Sequence, residues 1–181
     1  VVLEGRYLYL GVISDSHDNL RALSLVLEEL LSSKVDLVVH LGDIISPFVV
    51  KRMKEILKET LVIAVRGNND GDVYQLMMLF SNYGWRLYHD PSIVEIDGRR
   101  LLIMHGYNGV EYTENLAKGL AKSINVDAVL FGHTHKALIE SVDGKLLVNP
   151  GEVCGYLTGK ISYAVLDLKS LKGEVVYVRG F

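Results

Sequence analysis

The chain has 181 residues, 49% of them hydrophobic, and a formal net charge of −3. That length predicts one domain over residues 1–181 with a sizeable core, and the balanced charge gives no evident nucleic-acid patch. Cys154 is the single cysteine, which excludes an internal disulfide or a thiolate cluster and fits a reducing, cytoplasmic setting.

Residues 1–13 are apolar but broken by Glu4, Gly5 and Arg6, too short and too interrupted for a membrane span or a signal segment. Residues 7–13 predict a first strand covered on both faces. Asn19 is placed to cap a helix in which Leu20, Leu23, Leu27, Leu30 and Leu31 recur at helical spacing. Residues 37–41 predict a second buried strand, closed by Gly42-Asp43. Pro47 opens a helix reaching about Lys58, at a position where its missing N–H costs nothing. Residues 61–65 predict a third strand, residues 67–71 (Gly67-Asn68-Asn69-Asp70-Gly71) a dense turn, and residues 73–80 a helix.

The pattern then becomes rich in hairpins. Residues 85–88 and 93–96 predict short strands, Asp97-Gly98 a tight turn, and residues 100–104 the return strand, ended by His105-Gly106. Residues 111–124 predict an amphipathic helix, and residues 128–131 a strand ending in Gly132-His133-Thr134-His135. Residues 138–142 and 146–148 flank the turn Asp143-Gly144, and residues 161–168 and 174–179 close the chain as antiparallel strands. A βα-alternating first half and a hairpin-rich second half predict an α/β fold, a layered α-β-β-α sandwich of two mixed sheets flanked by helices.

Five predicted strand ends carry residues of metal-ligand type: Asp15 and His17, Asp43, Asn68, His105, and His133 with His135. Sites in open α/β sheets form outside the carboxyl ends of strands. An Asp after a strand is ordinarily a turn former, and a lone His near a core is ordinarily hydrogen-bonded there. The set is another matter. Four of the six histidines directly follow apolar strands, each beside a Gly or a small polar residue, and structural histidines have no reason to keep that rule.

Taken in order, Asp15-x-His17, Gly42-Asp43, Gly67-Asn68-x-Asp70, His105-Gly106 and Gly132-His133-x-His135 resemble the five motifs of the calcineurin-like metallophosphoesterases, in their small single-domain bacterial and archaeal phosphodiesterase branch. The match runs from Asp15 to Asn149-Pro150-Gly151. The resemblance implies that Asp15, His17 and His135 bind one metal, that Asn68, His105 and His133 bind another, and that Asp43 bridges them. Carboxylate, amide and imidazole ligands suit two divalent ions, manganese first, with nickel, cobalt, iron, zinc or magnesium as alternatives. Two such ions keep a net positive charge after Asp15, Asp43 and a bridging hydroxide are counted. The hydroxide is then the expected nucleophile toward phosphorus.

The resemblance breaks at three places. Many relatives carry His after the Gly-Asn pair, where this chain has Asn69, an amide with no acidic proton for a leaving oxygen. Asp70 is a conceivable substitute acid or a turn acceptor. Tyr107 stands where related enzymes often have a second His, and is either a donor to a phosphoryl oxygen or an aromatic cover at the mouth. Glu152 stands where relatives often have Ser, with its hydrogen bonding undetermined. His40 reads as a buried supporting histidine, His89 as a surface turn residue, and Cys154 as packing.

The expected function is phosphodiesterase, acting on a small phosphodiester. The alternatives are a phosphomonoesterase on a nucleotide or small phosphate, or a catalytically silent protein-binding scaffold of the kind one eukaryotic trafficking subunit makes from this fold. Specificity is expected from residues 69–74, 107–112 and 154–160. Trp85 or Tyr88, if exposed, would mark a homodimer patch, with core burial as the other reading.

Overall fold

The computed structural model describes residues 8–179. In chain order the elements are β1 (Tyr9–Ile13), α1 (Leu20–Ser32), β2 (Leu37–His40), α2 (Pro47–Leu57), β3 (Leu61–Val65), α3 (Val73–Asn82), β4 (Arg86–Tyr88), β5 (Ser92–Ile96), β6 (Arg99–Met104), α4 (Val110–Ser123), β7 (Ala128–Phe131), β8 (Leu138–Val142), β9 (Lys145–Asn149), β10 (Ser162–Asp167) and β11 (Lys172–Tyr177). Element ends shift by a residue or two from the sequence expectation, as fraying ends do. The part of the first expected strand before residue 8 lies outside the described residues.

One sheet has the order β11-β10-β1-β2-β3-β4, the other β5-β6-β7-β9-β8. Both are mixed. β1 to β4 run parallel, with β10 and β11 antiparallel at one side. β6, β7 and β9 run parallel between antiparallel edge strands β5 and β8.

Three apolar layers hold these sheets together. Val38, Val62 and Ala64 face α1, α2 and α3 through Leu23, Leu27, Leu30, Val50, Met53 and Phe80. Leu10, Val12, Leu37, Val39 and Val65 face the second sheet through Leu101, Ile103, Leu130 and Val148. Leu102, Met104, Val129 and Phe131 face Ala117 and Ala121 of α4. The order is therefore helices, sheet, sheet, helix. Successive side chains of a strand point to opposite faces, so a strand covered on both sides must be apolar at every position. This is why β1, β7 and the first three residues of β2 read as hydrophobic runs. Fully burying each Val or Leu contributes about 1.5–3 kcal/mol.

Local chemistry sets the helix starts. Asn19 Oδ1 accepts from the Ala22 N–H at 3.1 Å, and Asp72 Oδ1 accepts from the Gln75 N–H at 3.0 Å, each satisfying a donor that the first turn leaves unpaired. Pro47 occupies the first turn of α2. Trp85 is buried and donates to the Thr60 carbonyl, while Tyr88 is half-buried. Core packing thus accounts for the tryptophan. Among the described residues no helix is long and apolar enough to cross a membrane.

Strand register brings the ends of neighbouring strands level. Ile13 pairs with His40, His40 with Ala64, and Met104 with Phe131. The carboxyl ends of β1, β2 and β3 therefore lie side by side, and so do those of β6 and β7.

Candidate metal centre

Beyond those level strand ends the backbone turns sharply. Asp15, His17, Asp43, His133 and His135 all have positive φ, between 41° and 67°. Residues with a Cβ enter this region at a cost, and they cluster at functional sites where the surroundings hold them. Backbone bonds do the holding here: Asp15 N–H donates to the Gly42 carbonyl and His17 N–H to the Asp43 carbonyl, each at 3.1 Å. Gly67 passes so close that a Cβ on it would stand 2.1 Å from the Asp43 nitrogen and 2.3 Å from Asp43 Oδ1. A side chain there is incompatible with the site.

All seven ligand-type residues named from the sequence come together, in two groups that share Asp43. In the first, His17 Nε2 lies 3.2 Å from Asp43 Oδ2 and 3.8 Å from Asp15 Oδ1, and His135 Nε2 lies 3.3 Å from Asp15 Oδ1. In the second, His105 Nε2 lies 3.4 Å from Asp43 Oδ1, 3.0 Å from Asn68 Oδ1 and 3.2 Å from His133 Nδ1. Asp43 thus turns one oxygen to each group.

Three of the histidines are aimed by the ring nitrogen that faces away from the centre. His105 Nδ1 lies 2.7 Å from the Leu41 carbonyl. His135 Nδ1 lies 2.7 Å from Glu152 Oε2. His133 Nε2 meets the Asn108 carbonyl. A carbonyl or carboxylate only accepts, so each of these nitrogens carries a proton, and the opposite nitrogen faces the centre, where a cation would take the place of any proton it holds. This is the orientation that metal-binding histidines have, with the second nitrogen spent on a protein acceptor.

The donor set fits divalent cations. Asp15 Oδ1 and His17 Nε2 are buried and make no hydrogen bond, so only the ion-pair contacts just given offset the cost of burying them. Asp15, His17 and His135 offer ligand atoms all within 4.8 Å of one another, as do Asp15, Asp43 and His105. The facing carboxylates draw positive charge inward. Asp15, and then Asp43, raise the His17 pKa to about 9. Burial lowers that of His105, but Asp43, Asp15 and the Leu41 carbonyl together outweigh it and the pKa stands at about 9. Burial works against the Asp43 charge too, yet His105 and His17 hold its carboxyl well below the usual range. Protons and divalent cations compete for the same nitrogens.

A model of the calcineurin-like phosphoesterase superfamily domain matches residues 8–171.

The chain belongs to the calcineurin-like phosphoesterase superfamily.

It is therefore a phosphoric ester hydrolase of a family that uses divalent metals. The chain is 36% identical over 159 residues to the phosphodiesterase MJ0936 of Methanocaldococcus jannaschii, covering 87% of this chain and 92% of that protein. A solved structure of an archaeal phosphodiesterase superposes with a TM-score of 0.85 at 32% identity, over 94% of this chain and all of that one (100%). Vps29 from Chaetomium thermophilum shares the fold at a TM-score of 0.67 and 19% identity, over 94% of this chain and 96% of that one.

The other residues singled out from the sequence stand in varied relation to this cluster. Asn69 donates to Asp43 from both its backbone and its side-chain nitrogens, at 2.9 and 2.8 Å. Asp70 is buried and accepts from the Ile45 and Gly67 N–H groups at 2.8 and 2.6 Å, fastening the two turns that carry Asp43 and Asn68. The Tyr107 side chain is exposed. His40 is buried, and burial lowers its pKa to about 4. It accepts from the Gly42 N–H, so its Nε2 carries the proton and donates to Ser16 Oγ, which donates in turn to the Asp43 carbonyl. His89 is exposed, and Cys154 is buried.

Two supporting contacts escaped the sequence reading. Asp90 accepts from the His105 N–H at 2.9 Å and from the Gly106 N–H, fixing the turn after β6. Glu152 receives His135. Nothing in the spacing of either pair signals the contact.

Proposed function

We propose that the protein hydrolyses phosphodiesters at a centre of two divalent cations. Asp15, His17 and His135 would hold one cation, Asn68, His105 and His133 the other, with Asp43 between. The observation that carries this reading is the division of Asp43, one oxygen toward His17 and the other toward His105. When bound, the two cations supply a hydroxide nucleophile from water near neutral pH and offset the charge on the phosphoryl oxygens.

The chain's own side chains do the rest. Manganese comes first for this oxygen and nitrogen donor set, with the other first-row ions and magnesium behind it. Asn69 donates its amide to Asp43, and an amide has no acidic proton to give a leaving oxygen. The enzyme then favours esters whose leaving groups depart without protonation by a side chain. Tyr107 is exposed on the turn after His105, and in this reading its phenol would donate to a phosphoryl oxygen. Among the described residues no long inserted segment separates the elements that carry the centre, and the archaeal relative being a phosphodiesterase supports the preference for a diester.

The test is hydrolysis of bis-p-nitrophenyl phosphate and p-nitrophenyl phosphate by purified protein with added Mn²⁺, with and without chelator. The expected result is faster turnover of the diester, abolished by chelator. Faster turnover of the monoester would make the protein a phosphomonoesterase. No turnover with any first-row divalent ion would leave the scaffold reading.

A further inference from the structure

Glu152 is fully buried, yet its carboxylate is surrounded by donors alone. His135 Nδ1 lies 2.7 Å from Oε2 and the Cys154 thiol 3.1 Å from it. The Leu157 N–H reaches both oxygens at 3.1 and 3.2 Å, and the Thr158 N–H and hydroxyl each reach Oε1 at 2.6 Å. These contacts outweigh the cost of burial, and the Thr158 hydroxyl, His135 and the thiol hold the carboxyl down to about 2. His135, Glu152 and Cys154 lie close enough to ligate a cation, but a carboxylate with both oxygens already receiving N–H, O–H and S–H donors has no free lone pair facing one. Its role is to hold groups in place.

What it holds falls into two parts. On one side is His135, whose other nitrogen faces Asp15. On the other is the turn that carries Tyr156 and Leu157, 63% and 73% exposed. The backbone between is strapped to the end of β1, with Val153 N–H on the Ser14 carbonyl and Cys154 N–H on that of Asp15, at 2.9 and 3.0 Å.

We infer that Glu152 is a positioning residue that aims His135 at one cation and, through the same carboxylate, ties the exposed Tyr156-Leu157 turn to that cation's site. This rests on the proposed metal centre. A shorter polar side chain such as serine could not span both partners. Losing the tie would loosen one metal site and the turn together, and leave the Asn68, His105 and His133 site in place.

The experiment measures binding of Mn²⁺ alone by competition with a fluorescent chelator, and cleavage after Tyr156 and Leu157 by chymotrypsin, for wild type, Glu152→Gln and Thr158→Val. Glu152→Gln keeps the shape but sets an amide N–H against donors. It is expected to weaken one of two sites by about 10–100-fold, as loss of a ligand's supporting partner does, and to speed cleavage. Thr158→Val removes one donor from Oε1 and gives smaller shifts in the same two readouts, which keeps the test available if Glu152→Gln does not fold. A folded Glu152→Gln with two unchanged affinities and unchanged cleavage overturns the inference while the metal centre stands. A wild-type protein that binds no Mn²⁺ overturns both.

Discussion

Asn69 grips both carboxylate oxygens of Asp43, its backbone N–H on Oδ1 at 2.9 Å and its side-chain amide on Oδ2 at 2.8 Å. A carboxylate shared by two cations must present its oxygens in fixed and different directions, and this pair of bonds sets them. Asn69→Ala keeps the backbone bond and loses the other. Mn²⁺ affinity is expected to fall about 10–100-fold, measured by chelator competition, with the melting temperature of the metal-free protein nearly unchanged because Asn69 is exposed.

Asn69 takes no part in proton transfer, because an amide has no acidic proton. Across a series of aryl phosphodiesters, log kcat is expected to fall steeply as the leaving-group pKa rises. Asn69→His restores an imidazole where relatives have one, and its slope is expected to be shallower. Equal slopes for the two proteins would put the proton source elsewhere.

Glycine positions separate steric need from conformational need. A Cβ on Gly67 would collide with the Asp43 backbone, whereas one on Gly98, at φ +76°, would meet nothing within 4 Å. Gly98→Ala is expected to cost roughly 1–2 kcal/mol, the penalty of the left-handed region, with Mn²⁺ binding intact. Gly67→Ala is expected to abolish Mn²⁺ binding, because Asp43 must move. Thermal melts and binding titrations on both variants read the difference.

Metal removal should be visible in stability. Buried atoms such as Asp15 Oδ1 make no hydrogen bond, so a ligand that binds only the folded state raises its stability. At 100 times the dissociation constant the gain is about 2.7 kcal/mol per site. The melting temperature is expected to climb with Mn²⁺ and return with chelator, and Asp43→Asn is expected to flatten that response.

These expectations rest on residues that differed in how well the sequence announced them. Asp15, Asp43, His105 and His133 were legible because each follows a strand buried on both faces, and such strands are unbroken apolar runs. The layers were legible for the same reason, and α1 from its leucine spacing. Pairing order was not: β10 lies beside β1 across most of the chain, and hydropathy carries no record of a neighbour. Glu152 and His135 are 17 residues apart and meet only after β9 has paired with β7. The direction of Asn69 was hidden too, since an amide after a strand has several acceptors within reach. Trp85 shows the limit from the other side, because its burial depends on packing against Phe80 and Tyr83, which composition alone does not determine.

Anomalous diffraction from Mn²⁺-loaded crystals at the manganese edge tests the two-cation centre most directly. Two peaks about 3.5–4 Å apart, one flanked by His17 and His135 and the other by His105 and His133, with Asp43 between, are predicted. One peak, or none at Asp43, would contradict the account.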